Sequence, residues 1–133
     1  MTKPLKILIA EDDRMSRRIL QYTFDEHEAF ADLSCEVLLA EDGAQALELF
    51  GKDPPDLVLS DLFMPRVDGF ALCQAIREHE RGMDVPIIVM SAVWKQPKLL
   101  EKLKNTYGVE FVEKPLDIDT LVGLVMAKLR PGA

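Results

Sequence analysis

Cysteine is scarce in this chain, and basic residues are outnumbered. Cys35 and Cys73 are the two cysteines; no C-x-x-C pair exists, and each sits inside an apolar segment. The expectation is two buried, reduced thiols, with no disulfide framework. Lys and Arg total 16 against 23 Asp and Glu, giving a net charge of −7 and a pI of about 4.8. The only adjacent basic pair is Arg17–Arg18. Direct nucleic-acid binding is therefore excluded, because no basic patch is available to neutralise phosphates. Long apolar runs are missing too. The longest are strand-length, such as Val85 to Val93, which Pro86 and Ser91 interrupt. None reaches the ~20 residues of a membrane helix. The run Ile7–Ala10 stops at three acids, unlike a signal peptide. The expectations are a cytoplasmic location and no membrane partner.

What is present is alternation. The 133 residues, 48% hydrophobic and 29% charged, suit one globular domain and leave almost nothing for a second. One domain is expected over 1–133, with its core at about 5–129 and 130–133 as a tail or the start of a linker. Five short apolar runs are expected as strands: Leu5–Ala10, Cys35–Ala40, Asp56–Ser60, Val85–Met90 and Val109–Val112. Segments with helical spacing follow each: Arg14 to about Phe24, Gly43–Gly51, Asp68 to about Glu80, Pro97–Asn105, and a last helix after Asp117. Their inward residues are expected to be Met15, Ile19, Leu20 and Phe24 in the first helix. In the next two they are Ala46, Leu47 and Phe50, then Leu72, Cys73 and Ile76. In the last they are Ile118, Leu121, Val122, Val125 and Leu129. Continuous Ile, Val and Leu imply strands covered on both faces, hence a parallel sheet with helices on each side. Five strands are too few for an eight-stranded barrel, which leaves an α/β doubly wound open sheet. In such sheets functional groups collect at the carboxyl ends of the strands.

The residues that close the strands carry the chemistry. The first ends in Glu11, Asp12 and Asp13, the third in Asp61, the fourth in Ser91 and the fifth in Lys114. Carboxylates gathered in one shallow site repel one another, and a cation relieves that repulsion. An all-oxygen set without His or Cys selects a hard ion, Mg²⁺ or Mn²⁺. A lysine and a hydroxyl facing such a site suit a phosphoryl group.

These residues occur within Ile7-Leu8-Ile9-Ala10-Glu11-Asp12-Asp13, Asp61-Leu62-Phe63-Met64-Pro65 with Asp68-Gly69, Pro86-Ile87-Ile88-Val89-Met90-Ser91-Ala92, and Lys114-Pro115. The ordered set resembles the response-regulator receiver domain of two-component signalling, over about Leu5 to Leu129. The resemblance implies a flavodoxin-like (βα)5 fold with strand order 2-1-3-4-5. It implies Asp61 as phosphoacceptor, Asp12 as a direct Mg²⁺ ligand, Glu11 as a ligand through water, and the Phe63 carbonyl as a further ligand beside Asp61. Ser91 would bond the phosphoryl group, Lys114 would ion-pair with it, and Ser91 and Phe111 would form the switch. A cis Lys114–Pro115 bond is also implied. The expected partners are a sensor histidine kinase or a histidine phosphotransfer protein, and an output partner of unknown identity. Leu124 and Met126 lie beyond the inward stripe of the last helix; they either widen its buried face or let the fourth-helix to fifth-helix face dock a partner or a second copy as a homodimer.

Several features depart from the family pattern. Asp25 to Ser34 is longer than the usual link, and His27 within it reads as a solvated surface residue. The fourth helix ends in Asn105-Thr106-Tyr107-Gly108. Phe63 and Val93, two residues past Asp61 and Ser91, are apolar where polar residues are common. Two other functions stay open on the same residues: a Mg²⁺-dependent phosphatase with an aspartyl-phosphate intermediate, and a non-phosphorylated interaction module. Phe63 argues against the first, where a second acid is usual; intact Glu11, Asp12, Asp61, Ser91 and Lys114 argue against the second. The receiver itself is expected to be a signalling domain and not an enzyme.

Overall fold

The five apolar runs form strands and the five segments of helical spacing form helices. The computed structural model describes residues 4–91 and 97–129. In chain order the elements are β1 (Leu5–Ala10), α1 (Arg14–Glu26), β2 (Cys35–Ala40), α2 (Gly43–Lys52), β3 (Leu57–Asp61), α3 (Gly69–Glu78), β4 (Ile87–Ser91), α4 (Pro97–Tyr107), β5 (Glu110–Glu113) and α5 (Ile118–Leu129). A 3-10 turn at Glu28–Phe30 lies between α1 and β2. The strands form one parallel sheet in the order β2-β1-β3-β4-β5, as expected. α4 runs two residues beyond Asn105 and stops where Gly108 adopts φ +65°, a left-handed conformation that suits glycine at a helix end.

Successive side chains of a strand point to opposite faces, and here both faces are covered. Leu8, Ala10, Val58 and Val89 pack under α2, α3 and α4 against Ala46, Phe50, Leu72, Cys73, Ile76, Leu100 and Leu103. Ile7, Ile9, Leu57, Leu59, Ile88 and Met90 pack under α1 and α5 against Leu20, Phe24, Leu121, Val122 and Val125. Each fully buried Leu, Ile or Phe contributes roughly 1.5–3 kcal/mol of transfer free energy, so the two layers carry the stability of the fold. Leu47, Ile118 and Leu129 are half-buried at the edges of these layers.

Three expectations need correction. Met15 and Ile19 do not face the core; they are 68% and 51% exposed, while Leu20, Thr23 and Phe24 are buried. Leu20, Thr23 and Phe24 lie three and four residues apart on the face turned to the sheet, and Met15 and Ile19 lie outside it. Met15, Ile19 and Tyr22 instead form a separate apolar stripe on the surface. Cys35 is half-buried, on the edge strand β2, whereas Cys73 is buried and its thiol is pushed up to about 12 by that burial. His27 is not simply solvated. Its Nδ1 accepts a hydrogen bond from the Ala29 N–H at 3.0 Å, and its Nε2 lies 3.3 Å from Asp119 Oδ1. The long link around it has a packing role, since Phe30 is buried against Phe24 with ring centroids 5.2 Å apart.

Leu124 and Met126 are half-buried and pack against the α1–α5 layer. That contact accounts for their apolar character without a second copy of the chain.

Candidate functional site

Strand register brings the polar strand ends together. Ala10 of β1 pairs with Ser60 of β3, so Glu11 and Asp61 leave neighbouring strands at one level. Asp61 pairs with Met90 of β4, which puts Ser91 one step further along, and Ser91 pairs with Glu113 of β5. The Lys114 N–H then donates to the Ser91 carbonyl at 3.0 Å. Glu11, Asp61, Ser91 and Lys114 therefore share the carboxyl edge of the sheet at the β1/β3 switch in strand order. The Lys114–Pro115 bond is cis.

The three acids that close β1 divide their work. Asp13 is the N-cap of α1, and its Oδ2 accepts from the Ser16 N–H at 2.9 Å and from Ser16 Oγ at 2.8 Å. Glu11 is buried, with Oε2 accepting from the Asp13 N–H at 3.0 Å. Asp12 is exposed. Glu11, Asp12 and Asp61 each offer a carboxylate oxygen, and these oxygens lie within 4.8 Å of one another. Asp61 is 8% exposed; its Oδ1 accepts from the Leu62 N–H at 2.8 Å and its Oδ2 lies 3.0 Å from Lys114 Nζ. Lys114 Nζ is also 3.6 Å from Glu11 Oε1. Burial alone would lower the Lys114 ammonium, but Asp61 and Glu11 outweigh it and hold the pKa above the usual lysine range. Ser91 is 2% exposed, and its Oγ has no hydrogen-bond partner among the described residues. A buried hydroxyl without a partner is costly and fits an acceptor that arrives with a ligand.

The loop between β3 and α3 is pressed against its neighbours. A Cβ at Gly69 would stand 2.5 Å from the Asp61 carbonyl oxygen, and one at Gly43 would stand 1.9 Å from the Val67 carbonyl oxygen. Arg66 adopts φ +66° and donates to Asp42 Oδ2 through Nε at 2.9 Å and Nη2 at 2.6 Å. Asp42 is also the N-cap of α2. Phe63 follows Asp61 by two residues and is 55% exposed. Val93, expected beside it, lies outside the described residues. Phe111 is half-buried on β5 and packs against the layer under α4. Arg66, Arg17 and Arg77 are not marked in the sequence: Arg17 and Arg77 bond backbone carbonyls, which every residue has, and the Arg66 partner lies 24 residues away.

Glu11 sets a pH dependence of the metal-free protein. Burial, with a smaller push from the Asp61 charge, drives its pKa from 4.5 up to about 7, against the Asp13 N–H and Lys114. The native state thus binds the Glu11 proton more tightly than the unfolded chain does. Stability conferred by that proton is present at pH 4.5 and is lost as pH rises towards 7. The loss is expected to be at most ~3 kcal/mol. Glu11→Gln removes the charge that burial penalises. Urea unfolding across this window should show the variant flat relative to the wild type; parallel profiles would refute the assignment.

Comparison with known proteins agrees with this geometry. Residues 7–126 match the family described as the response regulator receiver domain. The chain is 38% identical, over 98% of its length, to the regulator of RpoS of Escherichia coli, and 34% identical, over 96%, to the response regulator MprA of Mycolicibacterium vanbaalenii. It spans 37% and 51% of those two relatives' own lengths. Among solved structures, the receiver domain of a sensor histidine kinase of Pseudomonas aeruginosa superposes with a TM-score of 0.79 at 23% identity, covering 96% of this chain and 98% of that one. That structure is described with a magnesium ion coordinated in the active site cleft.

Proposed function

The chain belongs to the response regulator receiver domain family, and we propose that it takes a phosphoryl group onto Asp61 from the phosphohistidine of a sensor kinase or phosphotransfer protein. The observation that carries this reading is the Ser91 hydroxyl, buried and without a hydrogen-bond partner among the described residues, on the sheet edge that also holds the Lys114–Asp61 pair. The donor set also fits a hard divalent ion: carboxylate oxygens of Asp12 and Asp61, the Phe63 carbonyl, and Glu11 through water, with oxygens of the three acids within 4.8 Å. Bound Mg²⁺ or Mn²⁺ would supply positive charge against the phosphoryl oxygens.

The chain's own residues do the rest. A carboxylate oxygen of Asp61 forms the bond to phosphorus as the phosphorus–nitrogen bond of phosphohistidine breaks, and the imidazole leaves. Lys114 follows the charge from the carboxylate to the new phosphoryl oxygens. The acyl phosphate adds roughly one negative charge and new acceptors, to which Ser91 Oγ donates. Movement of Ser91 frees space for Phe111, and the α4–β5–α5 surface shifts between two packings. This is signalling by a modified side chain. A small-molecule phosphodonor distinguishes the alternatives. One stable, hydroxylamine-labile phosphoryl group per chain supports the reading; continuous release of phosphate would indicate a phosphatase, and no labelling an interaction module.

The donor protein docks on the exposed stripe of Met15, Ile19 and Tyr22. This stripe adjoins the site, because Ile19 also lines a cavity shared with Glu11, Ser16, Lys114 and Pro115. Ile19→Asp is expected to slow phosphorylation by the donor protein by roughly tenfold or more, the equivalent of about 1.4 kcal/mol of lost docking. The rate with a small-molecule phosphodonor should stay unchanged. Equal slowing with both donors would place Ile19 in the site's structure and not in docking.

A further inference from the structure

We propose that Arg17 is a positioning residue for the divalent cation; the proposal rests on the reading that Glu11, Asp12 and Asp61 hold that ion. Arg17 lies on the first turns of α1, with its side chain 13% exposed. Its Nη1 donates to the Glu11 carbonyl at 2.8 Å and to the Asp12 carbonyl at 3.0 Å. Those are the backbone carbonyls of the two residues whose carboxylates face Asp61. One nitrogen, with two hydrogens in the fixed plane of the guanidinium, thus ties down two consecutive peptide units.

The consequence follows from backbone geometry. Anchoring a carbonyl oxygen fixes the ψ angle of its residue, and with it the direction from which the side chain leaves the chain. The Glu11 N–H is already held by the Ala40 carbonyl at 3.0 Å, and the Glu11 carboxylate by the Asp13 N–H. Arg17 completes this frame through its bonds to the Glu11 and Asp12 carbonyls. The other contact of Arg17 is loose: Nη2 stands 3.7 Å from Glu41 Oε1, and Glu41 is 73% exposed. The carbonyl bonds therefore define the role. Without them the two peptide units rotate more freely, and ordering both carboxylates around a cation costs more.

The test is Mn²⁺ binding to the whole chain, read by electron paramagnetic resonance, with circular dichroism in chelator to confirm folding. Arg17→Met should bind Mn²⁺ roughly tenfold more weakly, in line with loss of a group that orients metal ligands. Arg17→Lys keeps a cation but lacks the paired planar donors, and should fall between the two. Glu41→Gln should bind as the wild type does. A folded Arg17→Met with wild-type affinity would overturn the proposal. If Arg17→Met fails to fold, Arg17→Lys decides alone, and wild-type affinity in it would be equally fatal. Weakening by Glu41→Gln as large as that by Arg17→Met would also overturn it, by giving the role to the surface pair. Wild-type protein that bound no Mn²⁺ would overturn the metal reading and this proposal together. Tight wild-type binding with unaffected variants would overturn this proposal alone.

Discussion

Asp61→Asn protein should take up no phosphoryl group from either a small-molecule donor or a phosphorylated partner. The amide oxygen carries no charge and cannot serve as the nucleophile. The fold should survive, because Asn keeps the size of Asp and its side-chain oxygen can still accept from the Leu62 N–H, now at 2.8 Å from Asp61 Oδ1. Lys114 loses its 3.0 Å partner but keeps Glu11 at 3.6 Å. The Asp61 charge is one of the causes that raise Glu11, so in the variant Glu11 should ionise at lower pH and replace Asp61 as the main counter-charge to Lys114. Intact mass after incubation with donor gives the incorporation, and the pH dependence of unfolding gives the Glu11 response. Labelling at the wild-type level would move the acceptor to another carboxylate of the cluster and end the assignment of Asp61.

Arg77→Met should cost roughly 3–5 kcal/mol of stability, estimated from three charge-assisted hydrogen bonds with partial relief from desolvation. Arg77 lies near the end of α3 and is half-buried. Its Nε donates to the Tyr107 carbonyl at 2.8 Å, and its Nη1 donates to the Gly82 and Val85 carbonyls at 2.7 and 2.6 Å. One side chain thus joins α3, the segment leading into β4, and the last residue of α4. Burial pulls its pKa below the ordinary arginine range, a mark of the solvation given up to make these bonds. Met fills similar volume but leaves three carbonyls without that donor. The midpoint of thermal unfolding should fall by on the order of 10 °C. Backbone amides near Tyr107 and Gly108 should exchange hydrogen faster than those of β1. Arg77→Lys, with one ammonium for three divergent acceptors, should be intermediate. A midpoint equal to the wild type would show that these bonds only replace water at no net gain.

The exposed stripe on α1 and the two arginines bonded to backbone carbonyls show what the sequence pattern does not mark. Met15 and Ile19 look like core residues because they are apolar and spaced as a helix face. Their neighbour Leu20 takes the buried position, since α1 offers one direction to the sheet and the sheet surface below is already filled by Ile7 and Ile9. Arg17 and Arg77 read as ordinary charged surface residues. Their acceptors are backbone carbonyls, which every residue has, so no letter in the chain marks the pairing.

The alternation of apolar runs and helical spacings determined the parallel, doubly wound architecture, because covering both faces of a strand demands continuous Ile, Val and Leu. The same chain of letters determined which polar residues end the strands, while the capping of α2 by Asp42 and of α3 by Asp68 is seen in the structure. Only the tertiary structure decided which ends meet. The register of β1, β3, β4 and β5 sets Glu11, Asp61, Ser91 and Lys114 side by side, and a shift of one residue along any strand would turn every side chain in it to the opposite face. It also decided that Asp13 caps a helix while Glu11 is buried, a difference between two acids two positions apart that arises because the chain leaves the sheet between them.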